Sequence, residues 1–125
     1  MMSDPDYYVR MVVARRLAPG LLARMIKDEE AEVRRVVARR IPLDWLLLMA
    51  GDSDAAVRLE VAQRLPPDLL SRLRSDADWR VRYEVASRVA VMRLSELVED
   101  SDEFVRDIAR ARLAGRTERL TEVPR

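Results

Sequence analysis

The sequence predicts an all-α solenoid built from five repeats of 24 residues. Two observations favour this fold class: identical or similar side chains return every 24 residues, and the apolar residues within each repeat have helical spacing. An aspartate column and a valine column show the period without an insertion. Their members are Asp4, Asp28, Asp52, Asp76 and Asp100, and Val9, Val33, Val57, Val81 and Val105.

The repeats fill almost the whole chain, which we treat as a single domain over residues 1–125. Their predicted bounds are 4–27, 28–51, 52–75, 76–99 and 100–116, followed by a polar tail over 117–125. A unit of this size cannot bury its apolar face alone, so that neighbouring units have to stack on one another. Stacking of this kind gives a solenoid with helices roughly 8–10 Å apart.

The first half of each repeat is predicted to be an α-helix. In the first repeat Val9, Val13 and Leu17 follow one another at intervals of four residues and so lie on one helix face. Asp4 followed by Pro5 is typical of an N-cap and a first helical residue. We therefore expect the aspartate column to start every helix.

The second half of each repeat is predicted to be one 3₁₀ or short α turn. Prolines end the preceding helix, and two apolar columns then follow three residues apart. These columns contain Leu22, Leu46, Leu70 and Leu94, and Met25, Met49, Leu73 and Leu97. Trp45, which stands in a neighbouring column with Leu21 and Leu69, is expected in the core rather than in a ligand-stacking role.

Arginine is abundant, yet its positions favour a structural role over a nucleic-acid surface. Ten arginines occupy two repeat columns, Arg10, Arg34, Arg58, Arg82 and Arg106, and Arg16, Arg40, Arg64, Arg88 and Arg112. They are matched by the aspartate column and by a second acidic column, Asp6, Glu30, Asp54, Asp78 and Asp102. Each acid of the second column precedes an arginine by four residues, the favourable order for a helical ion pair.

The second arginine column falls within the apolar arc of the helix, where a lone guanidinium would be costly to bury. We therefore expect both columns to form Arg/Asp ladders that fix the stacking of one repeat on the next. The net charge of +1, without a block of like charge, also favours this interpretation.

Composition makes several function classes inaccessible. The chain has no cysteine and no histidine, so thiolate nucleophiles, cysteine-ligated clusters and imidazole catalysis are excluded. No phosphate-binding loop or nucleophile elbow is present, and we expect no enzyme activity, no metal and no cofactor. The longest apolar run, Trp45 to Ala50, is too short to span a membrane, and we expect a cytoplasmic protein.

The repeat columns resemble the leucine-rich repeat variant family. Residues 52–73, DSDAAVRLEVAQRLPPDLLSRL, carry the pattern most completely. The resemblance implies a right-handed superhelix in which α-helices alternate with 3₁₀ helices, related to HEAT and armadillo solenoids. Some members of the family resemble nitrogen-fixation accessory proteins and carry an N-terminal cysteine cluster for an iron–sulfur centre. The present chain starts its first repeat at Asp4 and has no cysteine.

Function is expected where the repeats differ on an exposed helix face. There the chain mixes arginine, aromatic and aliphatic residues, a composition enriched at protein interfaces. The predicted partner-binding residues are Arg15, Arg35, Arg39, Leu59, Trp79, Arg80 and Tyr83. We expect them to dock an acidic segment of another protein, which makes the chain a binding scaffold. The alternatives are a merely solvated helix face, a nucleic-acid-binding solenoid, and an accessory role in metallocluster or nitrogen-fixation metabolism.

The two ends of the repeat array differ. Arg110 replaces the alanine of Ala14 and its column, and we expect Gly115 to end the last helix, which gives that end a polar cap. The first repeat presents Tyr7, Tyr8 and Met11 instead. Self-association through this N-terminal edge is a further expectation.

Overall fold

The computed structural model describes residues 6–121, with side chains described as far as Gly115. The chain forms two compact units, Met1–Leu65 and Pro66–Arg125. Within the described residues all regular structure is helical, which confirms the predicted all-α repeat solenoid. Five long helices, labelled α1 to α5, occur once per repeat. They are Tyr7–Arg16, Ala31–Arg40, Ala55–Arg64, Trp79–Arg88 and Glu103–Thr121.

A short helical segment follows each of the helices α1 to α4, as the sequence predicts. In the first and fourth repeats it is a single 3₁₀ helix, and in the second and third it is one α turn that continues as a 3₁₀ turn. The segments are Pro19–Met25, Leu43–Leu46 with Leu47–Met49, Pro67–Leu70 with Ser71–Leu73, and Val91–Glu96. Proline stands at the start of two of them, because its missing N–H costs nothing in the first turn.

The predicted apolar columns form the core of each unit. In the first unit α1 packs against α2 and α2 against α3, and in the second unit α4 packs against α5. The side chains between them are nearly inaccessible to solvent. Among the fully buried residues are Leu22, Val33, Val37, Leu46, Val57 and Val61 in the first unit, and Leu70, Val81, Val85, Leu94 and Val105 in the second.

The prediction that Trp45 lies in the core is wrong, since 45% of its surface is exposed. Leu21, in the same repeat column, is also 40% exposed, and the fourth repeat has Arg93 at this position. Leu46, the next residue along, is the one that is fully buried. A single turn of helix turns one column inward and the adjacent one outward, so apolar character in both columns did not distinguish them.

The helices begin at the second acidic column, which corrects the predicted N-cap. Asp54 caps α3, where one carboxylate oxygen accepts a hydrogen bond from the main-chain N–H of Ala56 at 2.8 Å. Asp52 instead accepts from the N–H of Asp54 at 2.9 Å, within the turn that precedes the helix. The predicted cap Asp4 lies outside the described residues. The Asp52 side chain therefore does not cap the helix, and it has a second role.

Asp52 forms an ion pair with an arginine of the preceding repeat. Arg34 donates from Nε to Oδ2 of Asp52 at 2.8 Å and from Nη2 to Oδ1 at 3.2 Å. Its Nη1 donates to the main-chain oxygen of Asp28 at 2.7 Å. All three nitrogens of Arg34 are used in this way, so the predicted pair with Glu30, four residues earlier, is wrong.

The same arrangement recurs in both units. Arg10 donates to Asp28 at 2.9 and 3.3 Å, and Arg82 donates to Asp100 at 2.9 and 3.2 Å. Arg10 is only 2% exposed. The forked geometry fixes both the distance and the orientation of neighbouring repeats. The predicted Arg/Asp ladder is therefore confirmed for these described pairs of the first arginine column.

For Arg40, Arg64 and Arg112 of the second arginine column the predicted ladder is wrong, because their partners are main-chain carbonyl oxygens. Arg40 donates from Nη1 to the oxygens of Ala14 and Leu17 at 2.6 and 2.8 Å. Arg64 in the first unit and Arg112 in the second make equivalent pairs of bonds. The last carbonyls of an α-helix have no partner within it and carry its negative dipole end. A guanidinium satisfies both needs without a carboxylate.

At the end of the described chain, α5 does not stop at Gly115 as predicted but continues to Thr121. Nothing lies within 4 Å of the position a Cβ would take at Gly115, so no neighbouring group requires glycine there. Arg110 donates from Nε to the main-chain oxygen of Val98 at 2.9 Å. Its Nη2 lies 3.6 Å from a carboxylate oxygen of Glu99, so this residue adds the expected polar character to the last repeat.

Candidate functional site

The predicted partner-binding residues fall in both units. The first unit holds Arg15 on α1, Arg35 and Arg39 on α2, and Leu59 on α3. The second unit holds Trp79, Arg80 and Tyr83 on α4. All of them stand outside the repeat columns that build the core and the ladder.

In the first unit, two of the predicted arginines converge on one carboxylate. Arg39 donates from Nε to Oε2 of Glu60 at 2.8 Å, and Nη2 of Arg35 lies 3.3 Å from the same oxygen. Arg35 also lies 3.5 Å from Glu32. The hydrogen bond that Arg39 donates to Glu60 raises the pKa of Arg39, against the opposing effect of burial. Two acids thus compensate these two arginines internally.

Arg15 and Leu59 differ from this pair. Arg15 is exposed and makes no hydrogen bond or ion pair with any residue in the described part of the chain. Leu59 is half-buried. Val36, the residue after Arg35 on α2, is only 4% exposed. Of the three predicted arginines in the first unit, Arg15 is therefore the one that no described acid compensates.

In the second unit, Trp79 and Tyr83 belong to an exposed cluster of three aromatic rings. The Trp79 and Tyr83 rings meet edge to face, with centroids 6.4 Å apart. The Trp79 ring lies at 32° to the ring of Phe104, with centroids 5.7 Å apart. Between 37% and 55% of each residue is exposed. We call Trp79, Tyr83 and Phe104 the aromatic cluster.

The first turns of two successive helices position the aromatic cluster. Trp79 is the first residue of α4, where Asp78 is the N-cap, and Phe104 is the second residue of α5. The main-chain N–H of Phe104 donates to Oδ1 of Asp102 at 2.8 Å. Capping therefore fixes the backbone from which the rings project. Tyr83, four residues after Trp79, lies on the same side of α4.

The other predicted residue here, Arg80, is oriented by the same cap. Its Nε and Nη2 lie 3.1 and 2.9 Å from the two carboxylate oxygens of Asp78. Phe104 was not among the predicted site residues, although it shares the repeat position of Arg80. The signal that could identify Phe104 is this shared position, because the first turns of successive helices lie side by side when repeats stack.

The N-terminal edge is open within the described residues, as predicted. Tyr7 is 43% exposed and Tyr8 is 60% exposed, while Val9, whose column is otherwise buried, is 41% exposed. Self-association through this edge stays a prediction.

The described residues form neither a metal-binding cluster nor a membrane-spanning helix. No group of three or more acidic, histidine or cysteine side chains is arranged to hold a metal ion there. None of the helices in that part of the chain has both the length and the apolar composition needed to cross a membrane.

Repeated helical units, inter-repeat ion pairs and a variable outer surface define a helical-repeat protein of the solenoid class. No family model matches the chain, and no curated protein matches it. A solved structure described as "a leucine-rich repeat variant with a novel repetitive protein structural motif" is similar, with 42% identity and a TM-score of 0.85. The match covers 90% of this chain and 48% of that chain.

The chain has the leucine-rich repeat variant fold, and the resemblance predicted from its repeat columns is confirmed. It spans about half the length of the similar structure. A repeat fold of this kind suggests a scaffold or binding role, because each unit adds surface to the stack without requiring a catalytic cleft.

Proposed function

We propose that this protein is a non-catalytic scaffold that binds another protein, and that the aromatic cluster is the anchor of the binding surface. Trp79, Tyr83 and Phe104 carry the proposal because they are large, adjacent and exposed. Tryptophan and tyrosine are enriched among the residues that dominate binding energy at protein interfaces. The repeat fold does not require Trp79 and Phe104, since the third repeat has Ala55 and Ala56 at these two positions.

The charges support an interface centred on apolar contact. Arg80 is oriented by Asp78, and in the other unit Arg35 and Arg39 are bound by Glu60. Beside the aromatic cluster of the second unit, the pair of Arg80 with Asp78 contributes mainly to orientation and association rate. Arg15 is the residue of the predicted set that remains available to an acidic group of the partner. The absence of cysteine is compatible with action in the reducing cytoplasm, where we place this function.

Affinity capture from a lysate of cells that naturally produce the protein tests the proposal. The variant Trp79→Ala/Phe104→Ala introduces alanines that Ala55 and Ala56 show to be compatible with the repeat. The matched control Met92→Asp changes an exposed apolar residue of the same unit to the residue found at Asp44 and Asp68. We expect a protein that the wild type and the control retain and that the double variant loses.

Nuclease treatment of the same lysate distinguishes protein binding from the main alternative, nucleic-acid binding. A protein partner is retained after the treatment, whereas partners bridged by RNA or DNA are released. If nucleic acid were the retained species, with steep loss as salt rises, the chain would be a nucleic-acid-binding solenoid instead. A third variant, Arg15→Glu/Arg35→Glu/Arg39→Glu, tests the predicted contribution of the arginines to an acidic partner.

A further inference from the structure

An open apolar depression lies on the surface of the first unit, between the short segments of its first two repeats. It has a volume of about 610 Å³ and is lined by Ala23, Arg24, Ile26, Lys27, Trp45 and Leu48. Trp45 is 45% exposed and Leu48 is 64% exposed. Large apolar side chains that are exposed next to one another mark interaction sites more often than scattered ones do. We call this feature the Trp45 depression.

Two cations without acidic partners stand among these apolar residues. Arg24 and Lys27 are both exposed, and neither makes a hydrogen bond or ion pair with any residue from 6 to 121. Their positive charge is therefore not used by the fold. An occupant of the depression that carries a negative charge next to an apolar group would complement both of its features.

Comparison with the second unit shows that the repeat fold does not require this composition. Two repeat periods after Ile26, Trp45 and Leu48, the chain has Arg74, Arg93 and Glu96. These residues associate by charge: Glu96 lies 3.9 Å from Nε of Arg74 and 3.4 Å from Nη1 of Arg93. The same repeat positions thus accept an ion-pair network in one unit and present an apolar depression in the other.

We propose that the Trp45 depression binds a short peptide segment of another protein in which a carboxylate stands beside a large apolar side chain. The apolar side chain packs on Trp45 and Leu48, and the carboxylate pairs with Arg24 and Lys27. This site is separate from the aromatic cluster and does not depend on it. A peptide is favoured over single-stranded nucleic acid. Proteins that bind single strands place a row of cations along successive phosphates, whereas the cations that line this depression are Arg24 and Lys27.

The first experiment is selection of displayed random peptides, about 12 residues long, on the immobilised full-length protein. We expect the enriched peptides to share Asp or Glu within a few positions of Trp, Phe or Leu. The matched comparison is Trp45→Arg/Leu48→Glu, which introduces the residues that the fourth repeat has at these positions. Enrichment of the same peptides on this variant, or no enrichment on the wild type, would overturn the proposal.

The second experiment measures affinity and isolates the charge. In a Trp79→Phe background Trp45 is the remaining tryptophan, so its fluorescence reports on the depression directly. A selected peptide should alter this emission, and Arg24→Glu/Lys27→Glu should weaken its binding by about tenfold or more. Both changed side chains are exposed, so this variant decides the question even if the Trp45→Arg/Leu48→Glu protein fails to fold.

An oligothymidylate of about 12 nucleotides is the competing probe. If it displaces the peptide, or if it alone binds and responds to the Arg24→Glu/Lys27→Glu change, the depression is a nucleic-acid site and the proposal is wrong. The scaffold function is tested with the double variant Trp79→Ala/Phe104→Ala, which neither of these experiments uses. Failure here is therefore distinguishable from failure of the proposed scaffold function.

Discussion

Arg34 and Asp52 join the second repeat to the third through two parallel hydrogen bonds, at 2.8 and 3.2 Å, although 18 residues separate them in the sequence. The Asp52 side chain is 8% exposed and that of Arg34 is 12% exposed. A buried pair of this kind is costly to break from one side, because the remaining charge loses its compensation.

Arg34→Ala should lower the free energy of unfolding by about 3 kcal/mol, because it leaves the buried Asp52 carboxylate without its counter-ion. Urea denaturation followed by circular dichroism measures the change. The matched control is Arg72→Ala, which removes an exposed arginine without a hydrogen bond or ion pair to any described residue. The control should change stability by less than about 0.5 kcal/mol. Equal effects of the two substitutions would contradict the ladder.

Arg64→Met should cost about 1–3 kcal/mol of unfolding free energy, since it removes the donor to two carbonyl oxygens at the end of α2. Arg64→Ala should cost more, because it also removes the packing of the aliphatic stem. The two variants and the wild type are compared by thermal and urea denaturation. Unchanged stability in both variants would rule out the capping role of the second arginine column.

Glu30→Asp should stabilise the protein by about 0.5–1 kcal/mol. Glu30 is the N-cap of α2 but makes no side-chain cap hydrogen bond, whereas the aspartates at the equivalent positions of α3 and α4 do. Conversely, Asp54→Ala removes an existing cap hydrogen bond and should lower the free energy of unfolding by about 1 kcal/mol. Melting temperatures of the two variants should therefore move in opposite directions, and a shift of both in the same direction would place the helix starts elsewhere.

Glu60→Gln should weaken the surface network of α2 and α3, because Arg35 and Arg39 then lose their shared carboxylate. The raised pKa of Arg39 means that its contribution is complete below the ordinary arginine pKa and is lost only as the pH rises through the folded-state value. Between about pH 6 and pH 10 this contribution of Arg39 should therefore stay constant. Added salt should reduce the difference between variant and wild type, and a salt-independent difference would point to packing instead.

The columns of the core were predictable because burial recurs with the period of the sequence. Leu46 and Leu70 are fully buried as expected, since a stacked repeat has to hide the same position in every copy. Trp45 was misassigned, although Arg93 in its column indicates an outward position. A repeat position that holds arginine in one repeat is expected to be accessible to solvent in the others as well.

Partners between repeats were harder to predict. A helical projection shows neighbours within one helix, so it favoured Glu30 for Arg34 and a carboxylate for Arg64. In the structure Arg34 pairs with Asp52, 18 residues later, and Arg64 donates to the carbonyl oxygen of Ala38, 26 residues earlier. Phe104 was missed in the same way, because its contact with Trp79 joins two successive helices.

The most direct test of the central claim is photo-crosslinking in cells that naturally produce the protein. A photoreactive phenylalanine analogue replaces Phe104 in the aromatic cluster and, as the control, Met92, which is 84% exposed in the same unit. We expect a discrete covalent adduct with another protein from position 104, and none from position 92. No adduct from position 104, or identical adducts from both positions, would contradict the claim that the aromatic cluster anchors a protein partner.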